Sequence, residues 1–367
     1  MMPGTPELFA VAAPGLVPAL RSECEALGWQ PRTEPGGVAF ALAPGSLAEA
    51  NLRLRTASRI WLRVARFPAP DAQTLHRGLA GADPKQVCGE VPFALSGAVE
   101  GSRLGRVDRL IETAERAWRI RSAESGSAQA VLLRMEDDVC TVAVDTSGEL
   151  LYRRGYRQEI SRAPLRETLG AGLLLLAGYD GTQALWDPMC GSGTLVIEGA
   201  LLALRRAPGL HRGFAFERWP GFAAEELRAI RERLTAEGLA IAPAPIWGTD
   251  LHAGSLGTAR RNARRAEVLD ALRLERQDAT KPTLAPPAQT GLLISNLPYG
   301  IRVGEKRELE ALYRGLSQTL RERFAGWRVA LYVAKDSPTQ ALGLEVERRF
   351  DVSNGGIRCE LLVGHAR

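Results

Sequence analysis

Cysteine is scarce in this chain and scattered. Cys24, Cys88, Cys140, Cys190 and Cys359 form no C-x-x-C pair. An odd, dispersed set argues against a disulfide framework and against a cysteine-built zinc site. Histidine is scarcer still: His76, His211, His252 and His365, no two at metal-ligand spacing. No metal is expected. Lysine supplies only four of the 47 basic residues. No uncharged apolar run is long enough to span a bilayer, and the richest, Leu169 to Gly178, falls short. The opening "MMPGTPELFAV" lacks the basic region and long apolar stretch of a secretory leader. These absences lead us to expect a cytoplasmic protein without membrane attachment; a monomer is also expected.

What is present fits a globular protein of two domains or more: 367 residues, 45% hydrophobic and 24% charged. The net charge is +5. Acids and bases balance over residues 1–160, so the surplus falls in the remainder. A basic surface attracts polyanions. The preference for arginine over lysine is also what codon bias produces, so charge alone leaves nucleic acid and simple solvation equally open.

Along residues 7–67 the periodicity predicts strand, helix, strand, helix, strand. The second helix is expected over "SLAEANLRLRTASRI" (46–60) and the last strand over "WLRVARFP" (61–68). With a further strand pairing this reads as a β-α-β-β-α-β, ferredoxin-like unit over residues 1–68. Residues 69–155 read as a second small α/β unit. It has an amphipathic helix, "RVDRLIETAERAWRI", and two strands around the turn Glu136-Asp137-Asp138. The link that follows interleaves Arg153, Arg154, Arg157 and Arg162 with Tyr152 and Tyr156. Such a mixture suits RNA backbone and bases, but a solvated connection between domains explains this stretch slightly better. From 156 to 367, helices alternate with apolar strands, the pattern of an α/β parallel sheet.

Three stretches of that sheet carry chemistry. In "LWDPMCGSGTLVIEGALLAL" a strand ends at Asp187, a Gly-rich turn follows at Gly191-Ser192-Gly193, and a helix starts near Thr194. Glycines admit a ligand close to the backbone, and helix N-termini offer free N–H groups. A plain strand-helix turn would look similar. Val196 stands where a dinucleotide fingerprint needs a small residue, and Asp187 would repel a pyrophosphate but welcome an ammonium group. The pattern therefore favours S-adenosylmethionine over NAD. In "PIWGTDLHAGS" Asp250 ends the next strand. It can accept ribose hydroxyls, or simply cap the helix behind it. In "LERQDAT" Asp278 sits at a third strand tip, within reach of an adenine amine.

The third stretch is "GLLISNLPYGIRVG". A buried strand ends in Asn296-Leu297-Pro298-Tyr299. Alone this is a turn with an aromatic ring. Parallel strands share one carboxyl edge, however, so Asp187, Asp250, Asp278 and Asn296 should converge at one crevice. The Asn296 side-chain oxygen and the Leu297 or Pro298 carbonyl can hold the two N–H bonds of an exocyclic amine. Tyr299 can stack on its base. Nothing beside Pro298 offers a cysteine nucleophile.

These residues resemble the class I methyltransferases that act on amino groups, whose motif is [N/D]-P-P-[Y/F]. More closely, the chain resembles the THUMP-containing RNA guanine-N2 methyltransferases, through "DPMCGSGTLVIEGA", "LYRRGYRQEISRAPLRETLGAGL", "FAFERWPGF" and "SNLPYGIRVG". The resemblance implies a Rossmann-like catalytic domain over 156–367, preceded by an α+β ferredoxin-like domain (1–68) and a THUMP RNA-binding domain (69–155). It implies that Asp187, Gly191, Gly193, Asp250 and Asp278 bind S-adenosylmethionine, yielding S-adenosylhomocysteine. Met189, Ser192 and Thr194 of the same turn, Leu251 and Ala279 beside the two acids, and Asn296 complete the expected cofactor set, with Arg166 and Thr168 against it. Asn296, Leu297, Pro298 and Tyr299 would hold the guanine. Leu297 and "GIRVGEKRELEALY" look like the tRNA branch, whereas the Gly-rich turn and "FERWPGF" look like the 23S rRNA branch. 23S rRNA is the first expectation, tRNA the alternative, and DNA adenine-N6 methylation a more distant one.

Overall fold

The computed structural model describes residues 6–124, 126–158, 165–298 and 305–366, with the main chain alone at 305 and 306. Two compact units emerge. One comprises the chain up to Ala12, Arg21–Leu151 and Arg212–Glu232; the other comprises Ala13–Leu20, Tyr152–His211 and the chain from Arg233 on.

The chain begins with β1 (Glu7–Ala12), α1 (Val17–Ala26), β2 (Arg32–Glu34), β3 (Gly37–Ala41), α2 (Ser46–Arg53) and β4 (Ala57–Pro68), in β-α-β-β-α-β order. The helix expected over 46–60 is shorter than its periodicity suggested. At Leu54 the backbone is already extended (φ −68°, ψ 111°), and from Ala57 it pairs antiparallel with β1. Ile60, Leu62 and Val64 fit a strand's period of two, and that nonlocal pairing decides the conformation. A register shift between Arg63 and Ala65 then lets Val64 and Ala65 both be buried.

Next come α3 (Ala72–Gly81), α4 (Lys85–Cys88), β5 (Phe93–Glu100), α5 (Val107–Trp118), β6 (Gln129–Glu136) and β7 (Val139–Asp145). The α3 helix starts where the Asp71 carboxylate accepts the Thr74 N–H at 2.8 Å, a capping box. Asp137 and Asp138 adopt left-handed φ of 47° and 60°, closing a two-residue hairpin between β6 and β7. The two small units expected here share one seven-stranded sheet, ordered β2-β3-β1-β4-β7-β6-β5, joined by antiparallel pairing of β4 with β7. The "FERWPGF" segment also belongs to this unit. Its Phe216 N–H donates to the Thr146 carbonyl at 3.2 Å, and its Trp219 Nε1 donates to Gln129 Oε1 at 2.9 Å.

The other unit is built on a second sheet. Its elements are α6 (Glu167–Leu176), β8 (Ala184–Asp187), α7 (Thr194–Ala203), α8 (Ala224–Ala236, which begins in the first unit), β9 (Ile246–Asp250), α9 (Ala253–Arg265) and β10 (Leu272–Arg276). β11 (Gly291–Asn296), α10 (Glu305–Arg323), β12 (Arg328–Ala334), β13 (Leu344–Asn354) and β14 (Ile357–Ala366) follow. The strand order is β10-β9-β8-β11-β12-β14-β13. The first five are parallel, while β14 runs antiparallel to β12 and β13. Chain direction across the sheet reverses between β8 and β11, the switch point where open α/β sheets bind ligands. Trp186, Phe324 and Trp327 pack edge to face beneath it, with ring centroids 4.9 and 5.3 Å apart. Gly291 makes this packing possible: a Cβ there would lie 2.6 Å from the Ala184 carbonyl oxygen and 2.7 Å from the Trp327 ring. No described helix is long and apolar enough to cross a membrane.

Candidate active site

Asp187, Asp250 and Asn296 are the last residues of β8, β9 and β11, and Asp278 lies two residues past β10. Parallel pairing brings all four tips to one edge. A cavity of about 460 Å³ opens there, lined by Pro188, Met189, Asp250, Leu251, Asp278, Ala279, Asn296, Leu297 and Pro298, with His252 and Leu312. That volume suits a nucleoside-sized ligand.

The Gly-rich turn is held from several directions. Gly191 and Gly193 have φ of 55° and 87°, conformations that side-chain-bearing residues rarely adopt. The Gly191 N–H donates to Asp250 Oδ2 at 2.9 Å. The Cys190 N–H donates to the Thr249 carbonyl at 2.9 Å, and Asn262 Nδ2 donates to the Ser192 carbonyl at 3.1 Å. A Cβ on Gly193 would meet Ala259 of α9 at 3.1 Å, whereas one on Gly191 would meet nothing within 4 Å. Gly193 therefore packs the turn against protein, and Gly191 faces open space.

Asp250 does not cap the following helix; His252 holds that position. Instead Asp250 Oδ1 accepts the His252 N–H at 2.8 Å and Oδ2 accepts Gly191. Each oxygen keeps a second lone-pair direction. Asp278 Oδ1 accepts the Thr280 N–H and hydroxyl at 2.8 and 2.7 Å, which fixes the carboxylate at the cavity wall.

Asp187 is 1% exposed. Burial pushes its carboxyl up to about 7, against the opposing pull of the Ser295 hydroxyl (2.7 Å) and the Met189 N–H (3.1 Å). Burial, with Asp187 and Asp250 nearby, likewise raises the Cys190 thiol well above its ordinary range. Cys190 is thus kept as a thiol, not a thiolate nucleophile.

The Leu297 N–H donates to the Tyr332 carbonyl at 3.0 Å, carrying the β11–β12 pairing one residue past the strand. The Pro298 carbonyl accepts the Tyr313 hydroxyl at 3.3 Å. Asn296 Oδ1 is buried and accepts from no group among the described residues. A buried amide oxygen without a donor is unusual and points to a missing partner. Tyr299 lies outside the described residues.

Arg166 is exposed, its guanidinium 4.9 Å from the Tyr152 ring centre, and neither it nor Thr168 lines the cavity. Pro188, His252, Leu312 and Ser295 join the site without having been singled out from sequence. Arg154, Tyr156 and Arg157, read above as RNA-facing or solvated, are neither. Arg154 and Tyr156 are buried against Glu198, and Arg157 is engaged with Thr194. Arg162 lies outside the described residues.

Residues 154–362 match the UPF0020 family, described as RMKL-like, methyltransferase domain. The chain belongs to the RMKL-like methyltransferase family. Residues 7–61 match the RlmL ferredoxin-like domain, so a class-I-like α/β methyltransferase domain is preceded by a small ferredoxin-like module. Among relatives of this RMKL-like protein is slr0064 of Synechocystis sp. (strain PCC 6803), provisionally named an RNA methyltransferase. It is 31% identical over 372 residues, covering 96% of this chain and 95% of the relative. Among solved structures, SMU.472, provisionally named a methyltransferase and crystallised with SAH, is 26% identical. It superimposes with a TM-score of 0.85 over 99% of both chains. A protein of Listeria monocytogenes str. 4b F2365, named a predicted N6-adenine-specific DNA methylase, is 25% identical. Its TM-score is 0.86 over 98% of this chain and 96% of that one.

Proposed function

We propose that the protein transfers a methyl group from S-adenosylmethionine to the exocyclic N2 amine of a guanine in structured RNA. 23S rRNA is the first target and a tRNA the alternative. The observation that carries this reading is the buried Asn296 oxygen, without a donor among the described residues and set in one cavity with Asp250 and Asp278. The donor set fits the cofactor. Asp187, 1% exposed and behind the cavity lining, would offer a carboxylate to an ammonium group, Asp250 would use its spare lone pairs for ribose hydroxyls, Asp278 would take an adenine amine, and Gly191 leaves room for close approach. The cofactor would supply an electrophilic sulfonium methyl and leave as S-adenosylhomocysteine, and the proton displaced from the amine would pass to solvent.

The chain's own contribution is positioning. A nucleobase amine is a poor nucleophile because its lone pair delocalises into the ring. Asn296 Oδ1 can accept one N–H, and the Leu297 or Pro298 carbonyl can accept the other, the Pro298 oxygen keeping a second lone pair beside its bond from Tyr313. Accepting both N–H bonds draws the amine out of conjugation and aims its lone pair. Tyr299 would stack on the base. The ferredoxin-like module and residues 69–155, in the role of a THUMP domain, would bind the RNA.

Incubation with labelled S-adenosylmethionine and bulk RNA or DNA tests this. Label should enter RNA and be recovered as N2-methylguanosine after nuclease digestion. No transfer despite intact cofactor binding would sink the proposal, and label in DNA adenine would replace it with the reading suggested by the Listeria protein's name.

A further inference from the structure

Under the Gly-rich turn lies a buried ionic cluster that methyl transfer itself does not use. It is formed by the strap of residues 154–157 that enters the methyltransferase unit ahead of α6. Arg154 Nε lies 2.9 Å from Glu198 Oε1, with side chains 3% and 0% exposed. The Tyr156 hydroxyl donates to the same oxygen at 3.0 Å. Arg157 Nη2 donates to the Leu165 carbonyl and to Thr194 Oγ1, both at 2.6 Å, and its Nε lies 3.4 Å from Glu167 Oε1.

A buried ion pair is a poor way to gain stability, because apolar residues of similar volume often do as well or better. Its use lies in geometry: a guanidinium with several fixed partners holds them at defined separations. Thr194 and Glu198 stand one turn apart on the same face of α7. Thr194 directly follows Gly193, so whatever holds the Thr194 hydroxyl also holds the end of the turn. Thr249, Asp250 and Asn262 secure the turn from the β9–α9 side. Arg157 secures it from the α6 side, through Leu165 and Glu167.

We infer that Arg157 is a positioning residue for the cofactor turn, acting through the Thr194 hydroxyl. The inference rests on the reading of that turn as the S-adenosylmethionine site. It calls for tight cofactor binding to depend on Arg157, while the handling of RNA does not.

A double-mutant cycle on the full chain tests it, with S-adenosylmethionine affinity measured by calorimetry for Arg157→Ala, Thr194→Val and the pair. Each single change should weaken binding roughly tenfold, and the pair should be little worse than the weaker single, the signature of one shared interaction. Arg157→Lys should recover part of the loss, since a point charge can reach Thr194 or Leu165 but not both. At saturating cofactor, kcat and the KM for RNA of Arg157→Ala and Arg157→Lys should stay within about twofold of wild type, a split that general unfolding would not produce. Additive losses, or a fall in kcat at unchanged cofactor affinity, would overturn the inference. If Arg157→Ala does not fold, Thr194→Val and Arg157→Lys decide the matter through cofactor affinity set against melting temperature. Wild-type protein that binds no S-adenosylmethionine would instead overturn the cofactor reading itself.

Discussion

Acidification should weaken cofactor binding through one carboxyl group, Asp187. In the free protein burial pushes this group up to about 7, so below that pH it is mostly neutral. The ammonium end of S-adenosylmethionine favours the charged form, so binding at lower pH must expel the proton. Each pH unit below about 7 then costs about 1.4 kcal/mol, or roughly tenfold in affinity. Affinity should level off above about 7, and the cofactor's own α-amino group, near about 8, bounds that plateau from above. The same shift acts on folding with a definite sign. The folded-state value lies above the unfolded one of about 3.9, so the stabilisation is full below that pH and is lost as pH rises through about 7. If the whole shift counts, its size is on the order of 4 kcal/mol. Asp187→Asn should therefore flatten the dependence of the melting temperature on pH across this window. Ser295→Ala removes a hydroxyl that favours the charged form, so it should move the break in affinity to higher pH. Calorimetry near pH ~6 in buffers of different ionisation enthalpy should show close to one proton released per cofactor bound, and none in Asp187→Asn. Affinity that stays flat between about 5.5 and about 7, or proton release that survives Asp187→Asn, would refute the reasoning.

Three further outcomes are expected. Asn296→Ala should lower turnover by about two orders of magnitude or more while leaving cofactor affinity nearly unchanged, because the amide grips the acceptor base and not the cofactor; equal loss of both in kinetics and calorimetry would contradict that role. Gly291→Ala drives a Cβ to 2.6 Å from the Ala184 carbonyl oxygen, so the β8–β11 contact must shift. A loss of about 1–3 kcal/mol in denaturant melts is expected, and an unchanged midpoint would show that the sheet yields more easily than this packing implies. Leu297→Pro deletes the N–H bonded to Tyr332 and part of a buried side chain, lowering stability by about 2 kcal/mol or more; the ratio of activities on rRNA and tRNA should not change.

The parallel sheet was legible because its strands are short, continuously apolar and punctuated by polar tips. β8, β9 and β11 end at Asp187, Asp250 and Asn296, the residues proposed for the site, and the tips then meet as topology requires. What escaped was nonlocal. The stretch 57–60 continues a helical pattern and becomes strand only because β1 pairs with it. Residues 1–155 read as two units because the β4–β7 pairing joining their strands leaves no local mark. Arg154 and Arg157 look like surface cations since their partners, Glu198 and Thr194, lie about forty residues downstream. A signal existed: Glu198 is the one acid in the apolar helix "TLVIEGALLA" and had to be met by a buried cation. Cavity-lining by His252 and Leu312 left no comparable trace.

Leu297 shows how structure changes the meaning of a single letter. In the sequence it is the irregular residue of the Asn-Pro-Pro-aromatic pattern and bears on which RNA is bound. In the fold its side chain is 1% exposed and packs in the core with Ala279, Leu309 and Tyr313, at the wall of the cavity. Its N–H reaches the Tyr332 carbonyl, a bond proline cannot make. Leucine here therefore fastens the start of the loop to β12, a task that is the same whichever nucleic acid supplies the amine. Under the proposed function, discrimination between RNAs would then reside in groups that contact RNA beyond the reacting base. On that same proposal the methyltransferase cavity would hold the amine, and the ferredoxin-like module with residues 69–155 is where target choice should be sought.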